Sequence, residues 1–292
     1  EGKLDLVGMT RAHMADPHLV KKLIEGREEQ IRPCVGANYC LDRIYQGGAA
    51  FCIHNPSTGR EEQQPHLIQP ADQKRQVVIV GAGPAGLEAA RVSAERGHQV
   101  TVFEASNNAG GQIALTARSE RRREMQSIID WRLAECERLG VEIRYNSWAE
   151  ASDIINENPD LVIIATGGYP QTEMLESGNE HVSSCWDVLA GDCKPAQRVL
   201  IFDDAGDHVG LQAAEILAKA GSDVEIMTPD RSFAPEVMGM NLVPYMRSLQ
   251  SLNTRFTVTY RLISVEKKSD GLHALIGSDY GSAQHVKVYD QI

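Results

Sequence analysis

The chain has 292 residues, 42% hydrophobic and 24% charged, and a net charge of −11. That is enough for two domains of roughly 100 to 150 residues each. The acidic balance argues against nucleic acid and anionic membranes as partners, because both draw on clustered Lys and Arg; the one basic run, Arg121 to Arg123, reads as a solvated helix face. No stretch approaches the ~20 apolar residues that cross a bilayer, and no signal peptide is legible, so a cytoplasmic protein is expected. The chain opens without Met and closes on a strand-like HVKVYDQI, so a fragment of a longer polypeptide is expected.

Leu4 to Val7 predicts a short strand, Gly8 to Arg11 a turn, and Asp16-Pro17 the N-cap and first position of a helix running to about Ile24. Gly8 backbone N–H groups and the Arg11 fork could bind phosphate. On these residues alone, an ordinary β-turn-α unit with a surface Arg is the simpler reading. Pro33 to Asn55 then holds three of the six cysteines, Cys34, Cys40 and Cys52, spaced C-x5-C-x11-C. Thiols so close in a chain of this type point to metal or cluster ligation rather than disulfides, with buried structural thiols as the alternative. Cys136, Cys185 and Cys193 are scattered and read as core or surface thiols. Ser57 to Arg75 reads as a polar surface linker.

Gln76 to Glu104 organises the rest. Gln76 to Val80 predicts a buried parallel strand, Gly81-Ala-Gly83-Pro84-Ala85-Gly86 the turn, Leu87 to Arg96 a helix, and Gln99 to Phe103 a second strand ending at Glu104. Gly81 allows the tight turn, Gly83 lets a pyrophosphate approach the backbone, Gly86 lets helix and strand pack, and Glu104 stands where a ribose-binding carboxylate belongs. The phosphate would meet the free N–H groups and positive dipole end of the helix. Gly110-Gly111-Gln112 predicts a second flexible loop, Glu120 to Leu139 a long amphipathic helix, Val141 to Tyr145 and Asp160 to Ala165 strands, and Thr166-Gly167-Gly168 a glycine exit at the carboxyl edge of the sheet. Four pieces thus point to one crevice. From Gln197 the pattern restarts, with strands at Arg198 to Phe202 and Asp223 to Met227 and a helix over Leu211 to Ala220. Its turn carries Asp203, Asp204 and Asp207 where a pyrophosphate site has glycine, so this second unit is expected not to use NADH or NADPH.

In this order of elements the chain resembles the carboxyl half of a flavin oxidoreductase family that includes trimethylamine dehydrogenase, histamine dehydrogenase and 2,4-dienoyl-CoA reductase. The resemblance implies an α/β fold with two doubly wound, Rossmann-like domains, preceded by the last β-α unit of a TIM barrel and a Cys-containing loop segment. The implied bounds are 1–32 for the truncated barrel, 33–75 for the Cys segment and linker, 76–194 for an FAD- or ADP-binding domain and 195–292 for a degenerate NAD(P)-binding-like domain. It places Gly8 and Arg11 at the phosphate of FMN in the full-length protein. It assigns Gly81, Gly83, Pro84, Ala85, Gly86, Glu104, Gly111, Gln112, Thr166 and Gly167 to FAD or ADP, and Cys34, Cys40 and Cys52 to an iron-sulfur cluster; no residue here is assigned a catalytic role. The family has a cysteine where this chain has Ala37, leaving three local thiolates, so the cluster is a [3Fe–4S] centre, recruits a further ligand such as Asn38, Asp42 or His54, or is absent. The implied activity is an amine dehydrogenase or demethylase acting on a small amine and passing electrons to a carrier protein, with homo-oligomerisation among the implied arrangements. An NADPH-dependent enoyl-thioester reductase and a nucleotide-binding scaffold without catalysis are the alternatives. Without its barrel, this length of chain is expected to turn nothing over.

Overall fold

Val77, Val78 and Ile79 are consecutive, β-branched and fully buried, the pattern of a strand covered on both faces. They form the middle of β1 (Gln76–Val80) in a computed structural model that describes residues 2–292. The chain divides into two compact units, one ending at Gly168 and the other spanning Tyr169–Ile292.

In the first unit, α1 (Thr10–Ala15), α2 (Leu19–Ile24) and α3 (Tyr39–Tyr45) precede the sheet. After β1 come α4 (Pro84–Glu95), β2 (Gln99–Phe103), α5 (Gly111–Thr116), α6 (Ser127–Arg138), β3 (Glu142–Arg144), α7 (Ala151–Asn156) and β4 (Leu161–Ile164). The four strands are parallel in the order β3-β2-β1-β4. Alternation sends Val77, Ile79, Val100 and Val102 to one face, against Leu87 and Ala90 of α4 and Ile128, Ile129 and Cys136 of α6. Val78 and Phe103 face the other way, onto Ile154 of α7. Helices therefore cover both faces.

In the second unit α8 (Cys185–Ala190) is followed by β5 (Arg198–Phe202), α9 (His208–Lys219), β6 (Asp223–Met227), α10 (Gly239–Ser251) and β7 (Arg255–Thr257), forming a parallel sheet in the order β5-β6-β7. An antiparallel meander follows: β8 (Arg261–Lys268), β9 (Gly271–Ser278) and β10 (Gly281–Tyr289). Val199, Ile201, Val224 and Ile226 face α9 and α10. Leu200 and Met227 face the meander, against Leu262, Val265 and Ile276. This second sheet is thus covered by helices on one face and by strands on the other, where helices on both faces were expected.

The α/β architecture agrees with the sequence reading, and several local elements differ. No strand forms over Leu4 to Val7, whose apolar side chains are exposed, because among the described residues no strand runs beside them to take their backbone hydrogen bonds. The turn at Gly8 to Arg11 is shorter than expected, since α1 begins at Thr10. Asp16 does not cap the next helix in the predicted way. It is buried and its carboxylate is spent on Lys22 Nζ at 2.6 Å, the Arg32 amide at 2.9 Å and the His18 amide at 3.0 Å, so α2 starts later, at Leu19. Gly111-Gln112 opens a helix rather than a loop. The long helix predicted from Glu120 begins with a 3-10 segment, Glu120–Gln126, before α6.

Candidate functional site

The glycine turn is shaped by backbone-to-backbone approach. Gly81 sits at φ +101°, and a Cβ on it would lie 2.4 Å from the Ala165 carbonyl oxygen. A Cβ on Gly86 would lie 1.9 Å from the Gly81 carbonyl oxygen. Neither position can hold a side chain. Gly83 is different: a Cβ there would meet nothing within 4 Å. It is the N-cap of α4 and no side chain caps that helix, which leaves the first N–H groups and the positive end of the dipole without a side-chain acceptor.

The surrounding pieces converge on this turn. The Gly110 amide donates to the Ala82 carbonyl at 3.0 Å, which brings Gly111 so close that its Cβ would stand 3.3 Å from Gly83 Cα. A Cβ on Gly167 would lie 3.8 Å from Gln112 Nε2, and one on Gly81 3.2 Å from Thr166 Cα. Glu104 accepts the Ala82 amide on Oε2 at 2.7 Å and the Ser106 amide on Oε1 at 2.8 Å. Each carboxylate oxygen keeps acceptor capacity for a hydroxyl. Gly81, Gly83, Pro84, Gly86, Glu104, Gly111, Gln112, Thr166 and Gly167 therefore surround one rim, with Ala85 exposed in the first turn of α4. An open cradle at Gly83, an uncapped helix start and a carboxylate at the end of β2 fit an adenine dinucleotide. Gly8 and Arg11 belong to a separate neighbourhood: Gly8 is exposed coil, and Arg11 Nη1 donates to Asn38 Oδ1 at 3.2 Å.

The Cys segment is less complete. All six cysteines are free; Cys34 is exposed, and Cys40 and Cys52 are half-buried. Among the described residues no three His, Cys, Asp or Glu side chains gather to hold a metal ion. Ala37 packs against the apolar core of the first unit and offers no donor. The segment does not supply the four thiolates of a [4Fe–4S] centre.

Beneath it lies a buried cluster that the sequence reading missed. Arg132, Glu135, Arg91 and His54 are all buried, and the Arg32, Arg91 and Arg132 guanidinium carbons stand 4.1, 5.5 and 5.9 Å from the centre of the Trp131 ring. Glu88 is the counter-charge: Oε1 accepts from Arg91 Nη2 at 2.6 Å, and Oε2 lies 2.9 Å from Arg132 Nε, an ion pair whose N–H is not aimed at the oxygen. Burial raises the Glu88 carboxyl, but Arg91, Arg132 and Arg32 outweigh it and hold it below the usual range. His54 Nδ1 is 2.8 Å from the Pro33 carbonyl, an oxygen that can only accept, so this nitrogen carries the proton. Burial first and Arg132 second push the ring down to about 3, which keeps it neutral. One signal was available. Arg132 falls on the same helical stripe as Ile128, Ile129 and Cys136, and a charge on a buried stripe needs a buried partner.

The second glycine-poor turn is occupied by its own side chains. Asp203 Oδ1 accepts the Ala205 and Gly206 amides at 3.2 and 3.0 Å, and Asp207, the N-cap of α9, accepts the Val209 amide at 2.8 Å. A Cβ on Gly210 would lie 2.9 Å from Asp203 Cγ. Burial, then the nearby Asp207, raises the Asp203 carboxyl above its ordinary value despite those amides.

Residues 75–284 match the pyridine nucleotide-disulphide oxidoreductase family. The chain is similar to a probable N-methylproline demethylase of Rhizobium meliloti (strain 1021), at 67% identity over 100% of this chain and 43% of the relative. It is also similar to an N,N-dimethylglycine/sarcosine dehydrogenase of Chromohalobacter salexigens, at 44% identity over 100% of this chain and 43% of that protein. Among solved structures, histamine dehydrogenase from Rhizobium sp. 4-9 superposes with a TM-score of 0.89 at 26% identity, over 99% of this chain and 44% of that one. The chain thus spans less than half the length of the curated relatives it matches. It belongs to the pyridine nucleotide-disulphide oxidoreductase family, in the form carried by the carboxyl half of the trimethylamine dehydrogenase-like flavin oxidoreductases.

Proposed function

We propose that the first unit holds the ADP moiety of a dinucleotide, as FAD or as ADP itself. The single observation that carries this is the pairing at α4 of an open Gly83 with a helix start that no side chain caps. The backbone N–H groups of Gly83 and Ala85, on either side of Pro84, would receive the pyrophosphate, and Glu104 would accept the ribose hydroxyls while continuing to hold the Ala82 amide. FAD, when bound, supplies a two-electron acceptor. The second unit takes no hydride donor in this reading, because Asp203 and Asp207 already fill the amides that a nicotinamide dinucleotide would need.

The full-length protein is then an oxidoreductase of small N-methylated amines, a reading supported by the likeness to the two demethylating or amine-oxidising relatives. The amine loses two electrons to give an imine, and water releases formaldehyde and the demethylated amine. The electrons leave through a carrier protein. Residues 1–32, with Gly8 and Arg11, are assigned to the end of an FMN-binding barrel. Residues 33–75 are assigned to the Cys segment and linker.

Acid extraction of the purified protein followed by chromatography tests the nucleotide site. Release of about one FAD or one ADP per chain is expected. Release of neither, with no binding of either up to about 1 mM, a level worth only ~4 kcal/mol, would remove the proposal.

A further inference from the structure

A four-cysteine loop is ordinarily stapled by its metal centre, and this chain lacks the fourth cysteine at Ala37. The Cys segment is nonetheless held at both ends. His54, two residues after Cys52, donates Nδ1–H to the carbonyl of Pro33, the residue before Cys34. One side chain thus closes the loop that contains all three thiols. Arg132 of α6 fixes that closure to the sheet unit: Nη2 donates to the His54 carbonyl at 3.0 Å and Nη1 to the Ile128 carbonyl at 3.0 Å, while Nε faces Glu88 of α4. Trp131 Nε1 donates to the Gln30 carbonyl at 3.0 Å. Asn55 Nδ2 and Thr58 Oγ1 both donate to the Met14 carbonyl, at 3.0 and 2.6 Å. His54 and Arg132 are both buried, so water does not compete for these bonds.

We infer that the Cys segment of this protein is stapled by Arg132 and His54 rather than by a metal centre, and that it keeps its fold when iron is absent. Arg132 is a positioning residue acting through His54. The planar guanidinium suits the task, because one rigid fork donates to two carbonyls at once while its charge sits beside Glu88, which a lysine ammonium cannot reproduce in the same geometry. The closure does not depend on the nucleotide at Gly83, so this inference stands apart from the proposal for the first unit.

Amide hydrogen exchange read by mass spectrometry on the full-length protein tests it. The wild type is compared before and after stripping iron with a chelator and an oxidant, with bound iron and sulfide assayed each time. Peptides covering residues 33–55 are expected to keep their protection within about twofold on stripping. In Arg132→Met the same peptides are expected to exchange at least about tenfold faster, the scale set by losing charge-assisted hydrogen bonds, while β1 and β2 stay protected. General destabilisation would instead loosen the strands as well. His54→Phe keeps a flat aromatic ring, somewhat larger than imidazole, and loses the Pro33 bond, and it should free residues 33–35 and 52–55 in the same way, with β1 and β2 still protected, even if Arg132→Met fails to fold. A segment that opens when iron is removed overturns the inference, and so does one that stays closed in His54→Phe.

Discussion

Three glycines of one turn do three different things, and two of them can be told apart by a single methyl group. At Gly86 the methyl would meet a carbonyl oxygen at 1.9 Å, so Gly86→Ala is expected to cost about 3 kcal/mol or more through forced backbone movement. At Gly83 the same methyl meets nothing. Gly83→Ala should melt as the wild type does and bind ADP or FAD roughly tenfold more weakly or worse, since the space it fills is the approach to the helix start. Thermal melts and calorimetric titration of the pair separate the two roles. Equal loss of stability in both variants would mean that Gly83 is a packing glycine too.

The elements around the first turn were legible because their signals are local. β1 and β2 are short apolar runs bounded by breakers, and α4 follows a glycine turn with Pro at its first position. What escaped was decided at long range. Asp16 carries the local signature of a helix cap, yet its carboxylate is drawn to Lys22 and the Arg32 amide. The hairpins from β8 to β10 alternate weakly, with most of β10 exposed, and only their end was read as a strand. Arg132 and His54 lie 78 positions apart and meet only in the fold. The turn between β5 and α9 illustrates a signal that was legible in kind but not in consequence. Asp203 is 5% exposed and its folded carboxyl is raised by burial and by Asp207. The folded state therefore favours the protonated form, and that contribution is complete below the unfolded value near 3.9 and is lost as pH rises through the raised one. At neutral pH the ionised group is a liability. Asp203→Asn, which keeps an oxygen for the Ala205 and Gly206 amides, is expected to stabilise the second unit on the order of 1 kcal/mol at pH 7, and the gain should vanish below about pH 4. Urea melts of both proteins at the two pH values measure this, and an unchanged difference between them would be the contrary result.

At the scale of the whole molecule, the two units have separate sheets and cores, and the proposed function gives the nucleotide to the first alone. Saturating ADP at about 100 times its Kd should therefore raise the stability of the first unit by ~2.7 kcal/mol. Exchange protection in β1 and β2 should rise, while β5 and β6 are left where they were. A rise of the same size in β5 and β6 would show that the second turn binds the nucleotide as well. The buried cluster beneath the Cys segment has a further use. The chain has three tryptophans. Trp131 is 7% exposed inside its cage of guanidiniums, whereas Trp148 is 74% exposed. Their fluorescence should accordingly separate into a short-wavelength component from the shielded indole and a long-wavelength one from the solvated indole. In a Trp186→Phe background, which removes the half-buried third indole, the short-wavelength light is expected from the ring packed beside both His54 and Arg132, which makes it a built-in optical gauge of whether the closure beneath the cysteines is intact.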